Sequence, residues 1–206
     1  MLPIVCKSGP WQVECIAEDG ARLSRLSFGD SELLTRAPLS FAPVGGFGAY
    51  EGRPVYGYDD CFPTVDACAF PGRDSVVAPD HGELCWLPWS VKTSADRLEC
   101  RAQSCLFPVI FRRTLVFHPD RLEWRFEVEN RSSEPFPFLH VMHALMPPAR
   151  IRGIELPSCA AVFDEATNAP IAAASADELA SELLATPRGD ARMLLLHGVH
   201  KGSVRL

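Results

Sequence analysis

The stretch Leu122-Glu123-Trp124-Arg125-Phe126-Glu127-Val128-Glu129-Asn130 alternates without a break, apolar Leu, Trp, Phe and Val against charged Glu, Arg, Glu and Glu. Successive side chains of an extended chain leave on opposite faces, so a period of two gives one face for a core and one for water. Arg121 to Asn130 therefore reads as a half-buried antiparallel strand. Val109 to Phe117 just upstream is also strand-like, and His118-Pro119-Asp120-Arg121 between them is turn chemistry, with proline setting φ and aspartate bonding local backbone. The pair is a hairpin, and His118 is a turn residue rather than a catalyst.

Working outward, strands are expected at Trp11 to Ala17, Ala21 to Phe28, Ser90 to Thr93, Arg97 to Cys105, Phe136 to Leu145, Ile151 to Leu156 and Arg192 to His197. Many short strands joined by turns imply an all-β protein, a sandwich or a barrel. One short helix is expected near Asp177 to Ala185, capped by Ser175 or Asp177, with Leu179, Leu183 and Leu184 on one face. Ala37 to Gly57 and Cys61 to Pro79 are rich in Gly or Pro and read as long loops of the kind that wall binding sites. No internal repeat or low-complexity tract is present.

At 206 residues, 47% hydrophobic and 22% charged, the chain has the makeup of one globular domain, residues 1–206. A net charge of −6 disfavours nucleic acid and anionic membranes as partners and suits a neutral small molecule. There is no leader-like N-terminus and no run of about 18 apolar residues, so a cytoplasmic protein is expected. The eight cysteines form no CxxC pair and sit in apolar surroundings, which reads as buried reduced thiols. His81 with Cys85, or His140 with His143, is the nearest approach to a metal-ligand pattern. Neither has the tight paired spacing of a zinc site, and no metal or cofactor is expected.

The densest chemistry lies in Asp80-His81-Gly82-Glu83-Leu84-Cys85-Trp86-Leu87-Pro88-Trp89. Indole faces stack on pyranose rings, carboxylates and imidazole bond hydroxyls, and imidazole exchanges protons near neutrality. If the stretch is a strand, His81 and Glu83 share a face, and Asp80 and Gly82 lie on the other. A second constellation is Phe136-Pro137-Phe138-Leu139-His140-Val141-Met142-His143-Ala144-Leu145. At a spacing of three, its two histidines point to opposite faces of a regular strand, and periodicity does not say which one joins His81. Asp59-Asp60 is a candidate hydroxyl-binding pair. Gly45-Gly46-Phe47-Gly48 lacks the lysine of a phosphate loop, and no GxSxG nucleophile elbow occurs.

Three ordered motifs carry a family resemblance: Gly57-Tyr58-Asp59-Asp60-Cys61-Phe62-Pro63-Thr64, Asp80-His81-Gly82-Glu83-Leu84 followed by Trp89, and His143-Ala144-Leu145 before Ile154-Glu155-Leu156-Pro157. Together they resemble the aldose 1-epimerase, or galactose mutarotase-like, superfamily across most of Trp11 to Leu206. The resemblance implies a large antiparallel β-sandwich and interconversion of sugar anomers by acid–base ring opening. His143 would then be the general acid and His81 would bind and polarise the sugar, with Asp60, Asp66, Asp80 and Trp86 as candidate sugar contacts.

Departures from the family pattern are specific. The family's basic glutamate lies beyond the equivalent of Arg192 to Leu206, so Glu83 is the nearest candidate replacement. Asp66-Ala67 stands where many members carry Asn-Arg, and Ala144 where relatives often have proline. A sandwich without its last strands would expose edges that self-association could cover, so a homo-oligomer is expected. The alternative function is a non-catalytic carbohydrate-binding protein.

Overall fold

The computed structural model describes residues 2–37, 46–48, 50–151, 153–171, 175–187, 190 and 192–200. Residues 38–45 and 49 of the expected loop from Ala37 to Gly57, Gly45 included, and Arg152 of the expected strand Ile151 to Leu156 lie outside the described residues. The chain divides into two compact units, Met1–Met146 and Pro147–Leu206.

Two antiparallel sheets dominate the first unit. One runs β1 (Ile4–Ser8), β2 (Trp11–Ile16), β3 (Arg22–Phe28), with the short β4 (Ser31–Glu32) pairing β3, then β5 (Tyr58–Cys61) and, later in sequence, β12 (Val141–Ala144). Between β5 and β12 come a small hairpin, β6 (Cys68–Phe70) and β7 (Arg73–Ala78), and the second sheet. That sheet is β8 (Ser90–Thr93), β9 (Arg97–Gln103), β10 (Val109–Phe117) and β11 (Leu122–Asn130), ordered β11-β10-β9-β8. The alternating stretch Leu122–Asn130 is β11, paired along its whole length with β10 from Phe117↔Leu122 to Val109↔Asn130. His118 N–H donates to Arg121 O at 2.9 Å, so His118 is the turn residue its sequence context demands.

Alternation builds the core directly. Trp11, Val13 and Cys15 of β2 and Leu23 and Leu26 of β3 meet Leu98, Cys100 and Ala102 of β9 and Phe111, Leu115 and Phe117 of β10. Trp124, Phe126 and Val128 of β11 close over this cluster, leaving their charged neighbours in water. The two inner faces thus form one apolar layer, as a face-to-face sandwich requires.

The second unit carries a three-stranded sheet, β13 (Ala161–Asp164), β14 (Ala169–Pro170) and β15 (Leu194–His197), ordered β14-β13-β15, with α1 (Ala176–Leu184) between β14 and β15. Ser175 caps α1: its Oγ accepts from Glu178 N, and Glu178 Oε2 accepts from Ser175 N, satisfying two terminal donors at once.

Several expectations need correction. Cys61 to Pro79 contains the β6–β7 hairpin, because its apolar positions pair across a tight turn at Gly72. No strand forms among the described residues of Ile151 to Leu156, and Phe136 to Leu145 is a strand only from Val141. Five of the eight cysteines are buried, but Cys68 and Cys105 are exposed, on an outer hairpin and in the β9–β10 turn. No helix among the described residues is long and apolar enough to cross a membrane.

Candidate active site

Asp59 and Asp60 are consecutive residues of β5, so their carboxylates leave on opposite faces of the sheet, and both residues are fully buried. A buried carboxylate requires a cation or several donors. Asp60 faces the second sheet, where Arg113 Nη1 of β10 reaches its Oδ2 at 2.5 Å and Tyr58 Oη donates to its Oδ1 at 2.6 Å. Asp59 faces the other way and receives Arg22 Nη2 of β3 on Oδ2 at 2.6 Å. Arg22 is itself held by Asp19 and by the carbonyl of Tyr56.

Pairing of β12 with β5 sets His143 opposite Asp59. His143 Nδ1 lies 2.9 Å from Asp59 Oδ1, whereas His140 Nε2 lies 2.9 Å from Asp60 Oδ1. The spacing of three puts the two imidazoles on opposite faces, as read from the sequence.

His81 reaches the Asp59 face by a turn, not a strand. Gly82 N–H donates to Pro79 O at 2.9 Å, and His81 and Gly82 both have positive φ, 60° and 67°. Glycine is required at 82 twice over, for that φ and because any Cβ there would collide with the Phe62 backbone it bridges. The turn folds Asp80 back onto its neighbour, so Asp80 Oδ1 lies 2.8 Å from His81 Nδ1. Strand alternation had separated these two residues; the reversal of direction unites them.

Tyr50 joins the two halves. Its N–H donates to Asp80 Oδ2 at 2.9 Å, its ring stacks on His81 at 3.6 Å and 5°, and its hydroxyl donates to Asp59 Oδ2 at 2.8 Å. The same hydroxyl lies 3.2 Å from His143 Nδ1. The imidazole rings of His81 and His143 are thereby 5.5 Å apart, centre to centre, with side chains 23% and 25% exposed. An ionised carboxylate only accepts, so each imidazole gives Nδ1–H to its aspartate and keeps Nε2 for a ligand.

Burial alone would raise the Asp59 carboxyl, but the His143 hydrogen bond, the charges of Arg22 and His143 and the Tyr50 hydroxyl outweigh it and hold it below the usual range. Asp80 is likewise low: the His81 contacts and the Tyr50 N–H overcome its desolvation. Burial, then the charge of Asp59, pushes the Tyr50 phenol up, so Tyr50 remains a hydrogen-bond donor.

The other expected site residues lie elsewhere. Asp60 is committed to Arg113 and His140 on the opposite face. Asp66 is exposed on the rim of an apolar groove of about 370 Å³ lined by Pro63, Val65, Phe70 and Phe138. Trp86 is 7% exposed, donates Nε1–H to Asp80 O and lies under the Arg53 guanidinium, so it is packed as a prop for the turn and not as a sugar platform. Glu83 is fully buried, and its carboxylate accepts from Ser104 Oγ, Cys105 N and Leu106 N, tying down the β9–β10 turn. That is a correction to the shared-face expectation for His81 and Glu83: the turn at Gly82 and the short 3₁₀ turn from Leu84 break the alternation on which it depends.

Sequence reasoning missed Tyr50 and Arg22. Tyr50 opens a three-residue 3₁₀ turn, Tyr50–Gly52, and carries no sequence signal. Arg22 had one, since two adjacent acids in an apolar strand demand a cation on each face.

No protein-family model and no curated protein matches the chain. Two solved structures are similar in fold. The Slr1438 protein from Synechocystis sp. PCC 6803 superposes with a TM-score of 0.63 at 16% identity over 84% of this chain and 64% of that one. A "Putative aldose 1-epimerase" from Escherichia coli K12 superposes with a TM-score of 0.56 at 13% identity over 78% of this chain and 57% of that one. This chain thus spans less than two thirds of the length of either. At such identities the likeness is one of fold, and the fold is an antiparallel β-sandwich of the mutarotase-like type.

Proposed function

We propose that this chain is a carbohydrate epimerase of the aldose 1-epimerase type, interconverting sugar anomers through ring opening. The observation that carries the reading is the convergence of two imidazoles, His81 and His143, each with Nδ1 tied to its own aspartate and both partly open to solvent. His143, backed by Asp59, donates the proton to the ring oxygen. His81, backed by Asp80, removes the proton of the anomeric hydroxyl, a task the sequence reading had given to Glu83. The C1–O5 bond breaks as the C1 carbonyl forms and the aldehyde rotates about C1–C2; as O5 closes on the other face of the carbonyl, His143 takes back the O5 proton and His81 returns its proton to the C1 oxygen. Tyr50 keeps the geometry by bonding both aspartates at once.

The test is polarimetry on freshly dissolved α-glucose and α-galactose. The intact chain should accelerate mutarotation, His143→Ala should lose on the order of 10²–10⁴-fold, and His140→Ala should keep the rate. Measurable sugar binding without acceleration would instead establish a binding protein, and equal losses in the two histidine variants would sink the acid assignment.

A further inference from the structure

We propose that Cys61, His81 and His143 form a binding site for one divalent cation of the zinc class. Their donor atoms, one from each residue, all lie within 4.8 Å of one another. Cys61 is two residues after Asp59 on β5 and so projects from the same face, and His143 faces Asp59 from β12. His81 arrives because the chain at Gly82 bridges Phe62, the residue after Cys61, and because His81 N–H donates to Val65 O at 2.6 Å. Three segments distant in sequence therefore deliver one sulfur and two nitrogens to one point.

The second observation is the state of the imidazoles. A metal-bound histidine almost always gives its other ring N–H to a carboxylate or carbonyl, which fixes the tautomer and aims the lone pair. Both histidines meet that condition, through Asp80 at 2.8 Å and Asp59 at 2.9 Å. The thiol of Cys61 is buried and makes no hydrogen bond among the described residues. Zinc bonds of about 2.0 Å to nitrogen and 2.3 Å to sulfur put donors about 3.3–3.8 Å apart in a tetrahedron, so binding draws the three together by about 1 Å. The thiol proton leaves to solvent as the thiolate bonds the ion, and one coordination position stays open.

A soft sulfur with two imidazoles suits zinc or cobalt and is poor for magnesium or calcium, which prefer oxygen. The ion would occupy the nitrogens that the epimerase reading assigns to sugar, so zinc should inhibit mutarotation, yet the site itself does not depend on turnover.

The experiment is titration of the chelator-treated full chain, kept reduced, with cobalt followed by zinc. Expected is one cobalt per chain with a thiolate-to-cobalt charge-transfer band, displaced by zinc. Cys61→Ser should abolish that band, and Asp80→Asn should weaken zinc about 10–100-fold by freeing the His81 ring. Cys85→Ser, whose sulfur contacts the His81 carbonyl, and His140→Gln should bind as the parent does. Circular dichroism checks that each variant is folded. No band, or a band that survives Cys61→Ser, overturns the proposal. Polarimetry on the metal-free chain is scored separately: turnover without cobalt binding removes this site alone, and cobalt binding without turnover removes the epimerase reading alone.

Discussion

The two faces of β5 hold nearly the same group of residues. On one, Asp59 binds an arginine (Arg22), a histidine (His143) and a tyrosine hydroxyl (Tyr50); on the other, Asp60 binds Arg113, His140 and Tyr58. What differs is what the histidine meets next. Beyond Asp60, His140 packs its ring against Phe111 and Phe126, with ring centres 5.3 and 4.2 Å away. His143 looks toward a second imidazole that has its own carboxylate. The comparison teaches that an Arg-Asp-His-Tyr group is not by itself a catalytic signature. Facing the interior it is a cross-sheet tie, and facing a second dyad it has the parts that the proposed proton transfer requires.

The largest break in that comparison should come from Arg113→Met. Asp60 would be left buried without its cation, so we expect a loss of about 3–5 kcal/mol in urea unfolding, and sugar turnover by the remaining folded fraction should persist. Glu83→Gln tests the residue first offered as a base. Weakening its charge-assisted bonds to the β9–β10 turn should cost about 1–3 kcal/mol while leaving the mutarotation rate of folded protein near that of the parent; a rate collapse at unchanged stability would return Glu83 to the site. Tyr50→Phe keeps the stack on His81 but removes the hydroxyl that links Asp59 and His143, for about 0.5–1.5 kcal/mol and a shifted pH–rate profile.

The smallest effect is a loss of stability that begins only in acid. Asp59 and Asp80 have folded-state carboxyls below their unfolded values, so their stabilisation is complete above the unfolded value, about pH 4, and is lost as pH falls through the folded one. Unfolding free energy measured from neutral pH downward should fall below about pH 4, and Asp59→Asn should flatten that fall. An unchanged acid limb in the variant would mean that Asp59 is not held as described.

The sandwich was legible because alternation over Leu122–Asn130 and the paired Val109–Phe117 is a local property, and so was His118 in its turn. The site was half legible. Asp59 and Asp60 stood out as a hydroxyl-binding pair, whereas their carboxylates are taken by arginine and histidine, and the spacing of His140 and His143 required opposite faces. Which histidine joined His81 was beyond periodicity, since it depends on the register of β12 against β5. Glu83 was misplaced because a positive-φ turn at His81-Gly82 abolishes the alternation that a strand would have had. Histidine tolerates that conformation more readily than branched residues do, but nothing in the local sequence compels it.

The sequence alone thus determined the β architecture, the buried and wet faces, and the residue types available for proton transfer, because those follow from period, composition and side-chain chemistry. Only the tertiary structure decided that Tyr50, Asp59, Asp80, His81 and His143 meet, and that Cys61 lies beside them. Contacts between residues so distant in the chain are set by strand register and by the close approach of Gly82 to Phe62, which no local pattern encodes.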